Sequence, residues 1–211
     1  MTTDLSRTAK PRAPRPSGPS GCHVVQFYRD DRELVELATG YLADGIRDGE
    51  VVVVTATASH RQAFDRALTA RGIDVAAART SGSYVLLDAE DTMRRFLVAD
   101  WPDPVAFETT MGTLFRVALH AGRPVRAYGD MVALLWDAGH INAALELEAL
   151  WNSLASQLSF SLFCAVDDKS VAGEAHRDAA AKLCRLHSAV LGRPAVASAA
   201  HAEPDGWITI I

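Results

Sequence analysis

A few cysteine, histidine and acidic positions can be weighed for chemistry before any fold is assumed. Cys22 and His23 are adjacent, Cys164 lies inside an apolar run, and Cys184 and His187 have the spacing CxxH. Residues at i and i+3 share a helical face, so a thiolate and a neutral imidazole at that spacing can reach one metal ion. No second short-spaced pair completes a tetrahedron, and a solitary buried cysteine usually packs as a small hydrophobe. A metal or haem sensor is therefore one alternative reading, and no resident cofactor is assigned. His23 opens an apolar segment, where its ring either bonds a neighbouring loop or faces a ligand. Asp130 closes another such segment, the place where phosphate-loop ATPases keep a metal-binding acid. A nucleotide would need a glycine-rich loop after a strand, yet the turn after the first apolar segment is YRDDRE, Tyr28 to Glu33. It sets carboxylates where phosphates require amides and a lysine, so ATP hydrolysis is not expected. There is no GxSxG elbow either, and the chain reads as a non-enzyme. Phe27, Tyr28, Tyr128, Trp136 and Trp151 are each ordinary core candidates. Together they offer the aromatic wall with polar tips that suits a small apolar ligand.

The elements that must position these residues alternate. HVVQFY at 23–28 and VVVVTA at 51–56 read as strands, the second apolar throughout, as in a strand covered on both faces. Further strands are expected at 84–87, 124–131 and 160–166. Asp30 with Glu33 has the form of a capping box, and Leu34, Leu37, Ala38, Tyr41 and Leu42 follow at helical spacing. Ser59 with Gln62 opens a second helix that Gly72 closes. Asp88–Asp91 starts another. After the break at Trp101–Pro104, one long helix carries Phe107, Met111, Leu114, Phe115 and Ala118 on a single face. Val132–Trp136 reads as a short helix, Ile141–Gln157 as a strong amphipathic one and Ala175–Leu191 as the last. In that last helix Ala179, Leu183, Leu186 and Val190 form an apolar stripe, a candidate surface for passing a signal onward. Strand and helix in alternation predict an α/β three-layer sandwich, a mainly parallel sheet with helices on both faces. Ligands of such sheets sit beyond the carboxyl ends of the strands.

Composition agrees with a globular chain. Of 211 residues, 49% are hydrophobic and 22% charged, enough to bury a core without staples. No apolar run is long enough to span a membrane, and the N-terminus lacks the apolar stretch of a secretory signal. Three cysteines without short pairing point to a reducing cytoplasm. A net charge of -5 argues against direct nucleic-acid binding. Residues 1–20 read as a disordered basic leader, dispensable for folding, 21–191 as one domain and 192–211 as a tail whose final WITII suits a short strand.

HVVQFYRDDRELVELATGYLADGIRDGEVVVVTA, from His23 on, resembles the opening of the MEDS domain, the methanogen/methylotroph sensory domain. The likeness continues through GIDV at 72–75, SGSYVLLDAEDT at 81–92 and VRAYGDM at 125–131, and on to LELEALWNSLASQLSFSLFCAVD, ending at Asp167. The acid of the GDM segment is Asp130, where the family more often has glutamate. The resemblance implies a RecA-like three-layer fold with a degenerate phosphate site that senses small hydrocarbon derivatives. Carried over by position, it makes His23, Phe27, Tyr28, Asp130, Glu148, Asn152 and Cys164 candidate ligand residues, with Trp136 and Trp151 packing around the ligand. Glu148, Trp151 and Asn152 lie at i, i+3 and i+4, hence on one helical face. Family members are often fused to output modules. The residues outside the likeness leave no room for one, so a separate signalling partner is expected: a kinase, an anti-sigma factor or a transcription regulator. The competing reading is a degenerate RecA-like nucleotide-binding module.

Overall fold

A computed structural model describes residues 21–192. The expected leader and the WITII strand lie outside them. β1 (His23–Tyr28), β2 (Val51–Ala56) and β3 (Tyr84–Asp88) come in turn. Between them run α1 (Asp31–Arg47), α2 (Ala58–Ala70) and α3 (Val75–Thr80). Asp30 caps α1, its Oδ1 accepting from the amides of Arg32 and Glu33. Glu33 reaches back to the Arg29 amide, one residue earlier than a capping box would place it. Thr57, not Ser59, caps α2, its hydroxyl accepting from the His60 amide. Ser59 instead bonds the Thr57 hydroxyl. Gly72 ends that segment at φ +78°, open to glycine at no steric cost.

The second half begins with α4 (Ala89–Met93), capped by Asp88, and a two-residue hairpin of β4 (Leu97–Val98) and β5 (Trp101–Pro102). The expected long helix is interrupted. α5 (Pro104–Phe107) passes into a π-helical turn at Glu108–Gly112 before α6 (Thr113–His120). The wider turn still leaves Phe107, Met111 and Phe115 buried together. β6 (Val125–Gly129), α7 (Met131–Asp137), α8 (Ile141–Gln157) and β7 (Phe160–Asp167) complete the core. The segment expected as one last helix is divided. α9 (Arg177–Arg185) stops at Leu186, and Ala189–Leu191 becomes β8, paired with β1. Val190 therefore belongs to the sheet and not to a helical stripe.

All strands of the main sheet are parallel, in the order β3-β2-β6-β7-β1-β8. Every residue of β1, β2 and β6 is buried, which accounts for the mostly apolar character of these strands. On one face Leu34, Leu42, Phe64 and Leu68 pack against Val52, Val54, Tyr128 and Phe163. On the other, Phe107, Met111, Leu147, Trp151 and Leu183 pack against Val25, Val53, Leu162 and Val166. The result is the three-layer α/β sandwich that alternation predicts. No helix among the described residues is long and apolar enough to cross a membrane.

Candidate functional site

The layer between the sheet and α8 is apolar except at one place. His23 begins β1 and Cys164 lies in β7, both facing α8. α8 points Glu148 at them and, one turn on, Asn152. Glu148 has no exposed surface. A carboxylate so placed is costly without partners, and it has two. His23 Nε2 stands 3.1 Å from Glu148 Oε2, and His187 Nε2 stands 3.3 Å from Oε1. His187 comes from the short connection between α9 and β8, and its ring lies 4.1 Å from that of His23. Cys164 Sγ is 3.3 Å from His23 Nε2 and 4.0 Å from Glu148 Oε2.

Both imidazoles are oriented from behind. Asn152 Nδ2 donates to the Leu186 carbonyl at 2.8 Å, which turns its Oδ1 to His23 Nδ1 at 2.9 Å. His187 Nδ1 donates to the Leu183 carbonyl at 2.8 Å. An amide oxygen and a carbonyl can only accept, so each Nδ1 carries the proton. Each Nε2 is thereby the ring nitrogen aimed at the cluster centre. Burial pulls the Glu148 pKa up, but the facing charges of His187 and His23 outweigh it, holding the group well below the carboxylate range. Burial pushes the His187 pKa down, and Glu148 more than reverses this, raising it above 6.5. The Cys164 thiol is pushed far up by burial and by Glu148, so it is protonated when nothing displaces its proton.

Ser188 fastens the backbone beside the cluster. Its Oγ accepts from the His23 amide and donates to the His23 carbonyl, and its own amide also donates to that carbonyl. The entry to β8 is thus tied to the start of β1.

The structure brings His23, Glu148, Asn152 and Cys164 together, and it adds His187. Cys184, the expected helical partner of His187, lies outside the cluster, so the CxxH spacing does not define one site. Asp130 belongs elsewhere. At the carboxyl end of β6 its Oδ1 accepts from Tyr128 at 2.6 Å, and its Oδ2 from the Thr57 amide at 2.9 Å and from His60 Nδ1 at 2.7 Å. The hydrogen bond to Asp130 raises the His60 pKa more than burial lowers it. Tyr28 lies at the carboxyl end of β1, its hydroxyl pushed up by burial and then by Asp130. Phe27 and Trp151 sit in the apolar layer, Trp151 edge-on to Phe107 at 5.1 Å. Trp136 is held by its Nε1 donating to the Ser170 carbonyl. The surface grooves beside α2, between α1 and α2 and between α2 and α3, contain none of these residues.

The parallel sheet order, with helices on both faces and a buried His–Glu–Cys cluster beneath α8, defines a three-layer α/β sandwich. A family model, that of the methanogen/methylotroph, DcmR sensory domain (MEDS), matches residues 22–188. The chain belongs to the MEDS family. Solved structures show the same fold at low identity. An uncharacterized protein, PH0321, from Pyrococcus horikoshii, crystallised with an unknown peptide, matches with a TM-score of 0.61 and 12% identity, covering 82% of this chain and 77% of its own. A KaiC-like protein, PH0186, from Pyrococcus horikoshii OT3 matches with a TM-score of 0.52 and 13% identity, covering 82% and 71%. Among curated proteins none matches.

Proposed function

We propose that this sensory domain receives its signal at the His23–Glu148–Asn152–Cys164–His187 cluster, as a non-enzymatic receptor for a small organic molecule, and passes it to a partner protein. The observation that carries the reading is Glu148, a carboxylate with no solvent exposure in an apolar layer, facing two histidines from different elements. Packing alone would favour an apolar residue there, because a buried ion pair seldom improves on hydrophobic neighbours. A polar handle within an apolar, aromatic layer is what a small molecule with one polar group needs. The cluster also joins β1, β7 and α8 to the α9–β8 connection, so a ligand that moves Glu148 or His187 alters how β8 is held. That segment is the proposed output surface, and the partner is a kinase, an anti-sigma factor or a transcription regulator.

Trp151 stands three residues from Glu148 on α8 and reports on the site. Titration with 1-propanol and with chloroform is expected to give a saturable change in tryptophan fluorescence that Glu148→Gln abolishes, while ATP gives none. A response that does not saturate, or that survives Glu148→Gln, overturns the reading.

A further inference from the structure

Four buried side chains of the cluster each direct one ligand atom to a common centre: His23 Nε2, Glu148 carboxylate, Cys164 Sγ and His187 Nε2. No pair of these atoms is farther apart than 4.8 Å. The separations of 3.1, 3.3, 3.3 and 4.0 Å bracket the edges of a tetrahedral coordination shell. Bonds of about 2.0–2.3 Å to nitrogen, oxygen and sulfur imply edges of roughly 3.3–3.8 Å. We propose that these four residues bind one divalent cation of the zinc class. The inference rests on the reading of this cluster as the receptor site and supplies the ion that organises it.

Three features point to a cation. First, Glu148 Oε1 and His187 Nε2 have no hydrogen-bond partner although both atoms are buried, because their 3.3 Å approach is out of hydrogen-bond alignment. Buried polar atoms of a native core are rarely left so. Second, with Nδ1 of each ring committed as a donor, Nε2 is the nitrogen that each ring presents to the Glu148 carboxylate, so a positive charge, either a proton or a metal ion, has to lie between them. Third, backbone carbonyls and amide oxygens behind ligating histidines are the usual outer shell of zinc sites, fixing tautomer and ring orientation. Leu183 and Asn152 fill those places.

The charge count selects the valence. Two neutral imidazoles, one carboxylate and one thiolate carry two negative charges, which a divalent ion cancels to zero in a site without solvent. The thiol proton of Cys164 leaves to solvent as the ion enters. Mixed nitrogen, sulfur and oxygen donors in a four-coordinate shell suit zinc and not magnesium or calcium, which take oxygen ligands. Four protein ligands leave no open position, so the ion organises the domain and does no hydrolytic chemistry.

The test uses the full chain, stripped with a chelator and then given Zn2+ or Co2+ alone. One equivalent of zinc is expected to remain after gel filtration. Cobalt is expected to give tetrahedral visible bands and a thiolate charge-transfer absorption. Cys164→Ser should lose the charge-transfer absorption, and Asn152→Ala, behind a ligand, should weaken zinc affinity about 10–100-fold. His187→Gln should weaken it further still. The wild-type cobalt spectrum decides the matter even where a variant fails to fold. Substoichiometric zinc, a cobalt spectrum without charge transfer, or an affinity unchanged by His187→Gln in a folded variant overturns the proposal. If zinc fails to bind while 1-propanol and chloroform still give a response that Glu148→Gln abolishes, the cation site falls and the receptor reading stands. If zinc binds and those probes do nothing, the receptor reading falls instead.

Discussion

Asp130 is the acid that both the sequence and the fold single out, yet its three hydrogen bonds tie the carboxyl ends of β2 and β6 together. His60 is its titrating partner, with a raised pKa. A histidine raised on folding contributes stability that is complete below its ordinary value of 6.5 and is lost as pH rises through the folded value. Melting temperatures from pH 5.5 to 8.5 should therefore show Asp130→Asn costing most at the acid end, with the gap to wild type narrowing as pH rises. At pH 6 the loss should be about 1–3 kcal/mol, since a buried tyrosine hydroxyl and a backbone amide share the lost carboxylate. This corresponds to a Tm fall of roughly 2–10 °C. A gap that stays constant across this range would show that the pair does not titrate as described. At this scale the sequence exposes residue types and not partners. Glu148 and Asn152 are readable as neighbours on α8, because helical spacing fixes them. His187 is readable only as a helical neighbour of Cys184. What places it in the cluster is the end of α9 and the return of β8, which no local spacing reveals.

The elements divide between those that a buried run or a cap announces and those that only the sheet can create. β1, β2 and α8 have the bounds their patterns predict, the two strands because each is a mostly apolar run buried along its whole length, and α8 because its buried positions keep the helical period. β8 is three residues long, and Leu183, Leu186 and Val190 before and within it mimic helical spacing. Pairing with β1 overrides that pattern, since Val24 to Gln26 offer an otherwise open edge to Ala189–Leu191. The π-turn at Glu108–Gly112 is equally invisible, because one inserted residue leaves apolar spacing near the helical period. Position in the sheet has a measurable consequence. Val52–Val54 are bonded on both sides, by β3 and β6, whereas β8 has one neighbour among the described residues. Amide exchange at 189–191 is expected to be faster than at 52–54 in chelator-treated protein and to slow when Zn2+ is added. Equal protection of the two strands, with and without the ion, would make β8 fixed scaffold and move the output surface elsewhere.

The whole molecule shares its sheet with a KaiC-like protein at 13% identity, a likeness that establishes the fold and says nothing of nucleotide chemistry. What decides that question is the junction of β1 and α1. In a phosphate loop the free amides at a helix N-terminus receive the anion. Here the amides of Arg32 and Glu33 are already taken by Asp30, and that of Arg29 by Glu33. Two carboxylates thus fill the place of the phosphates, Asp30 held below its ordinary pKa by the backbone amides and Glu33 by the Arg29 guanidinium and then its amide, so they stay charged at neutral pH. An incoming triphosphate would have to displace them against like charge. Nor does Asp130 stand free to hold a magnesium ion, with both oxygens already engaged. The chain should therefore release no phosphate from ATP above background in the presence of Mg2+. Replacing Asp30 and Glu33 with Gly should not restore turnover, because no lysine lies in the turn from Tyr28 to Glu33. Phosphate release by the wild-type chain that needs Mg2+ and vanishes in Asp130→Asn would mean that this fold has kept a nucleotide site despite the acids that occupy it.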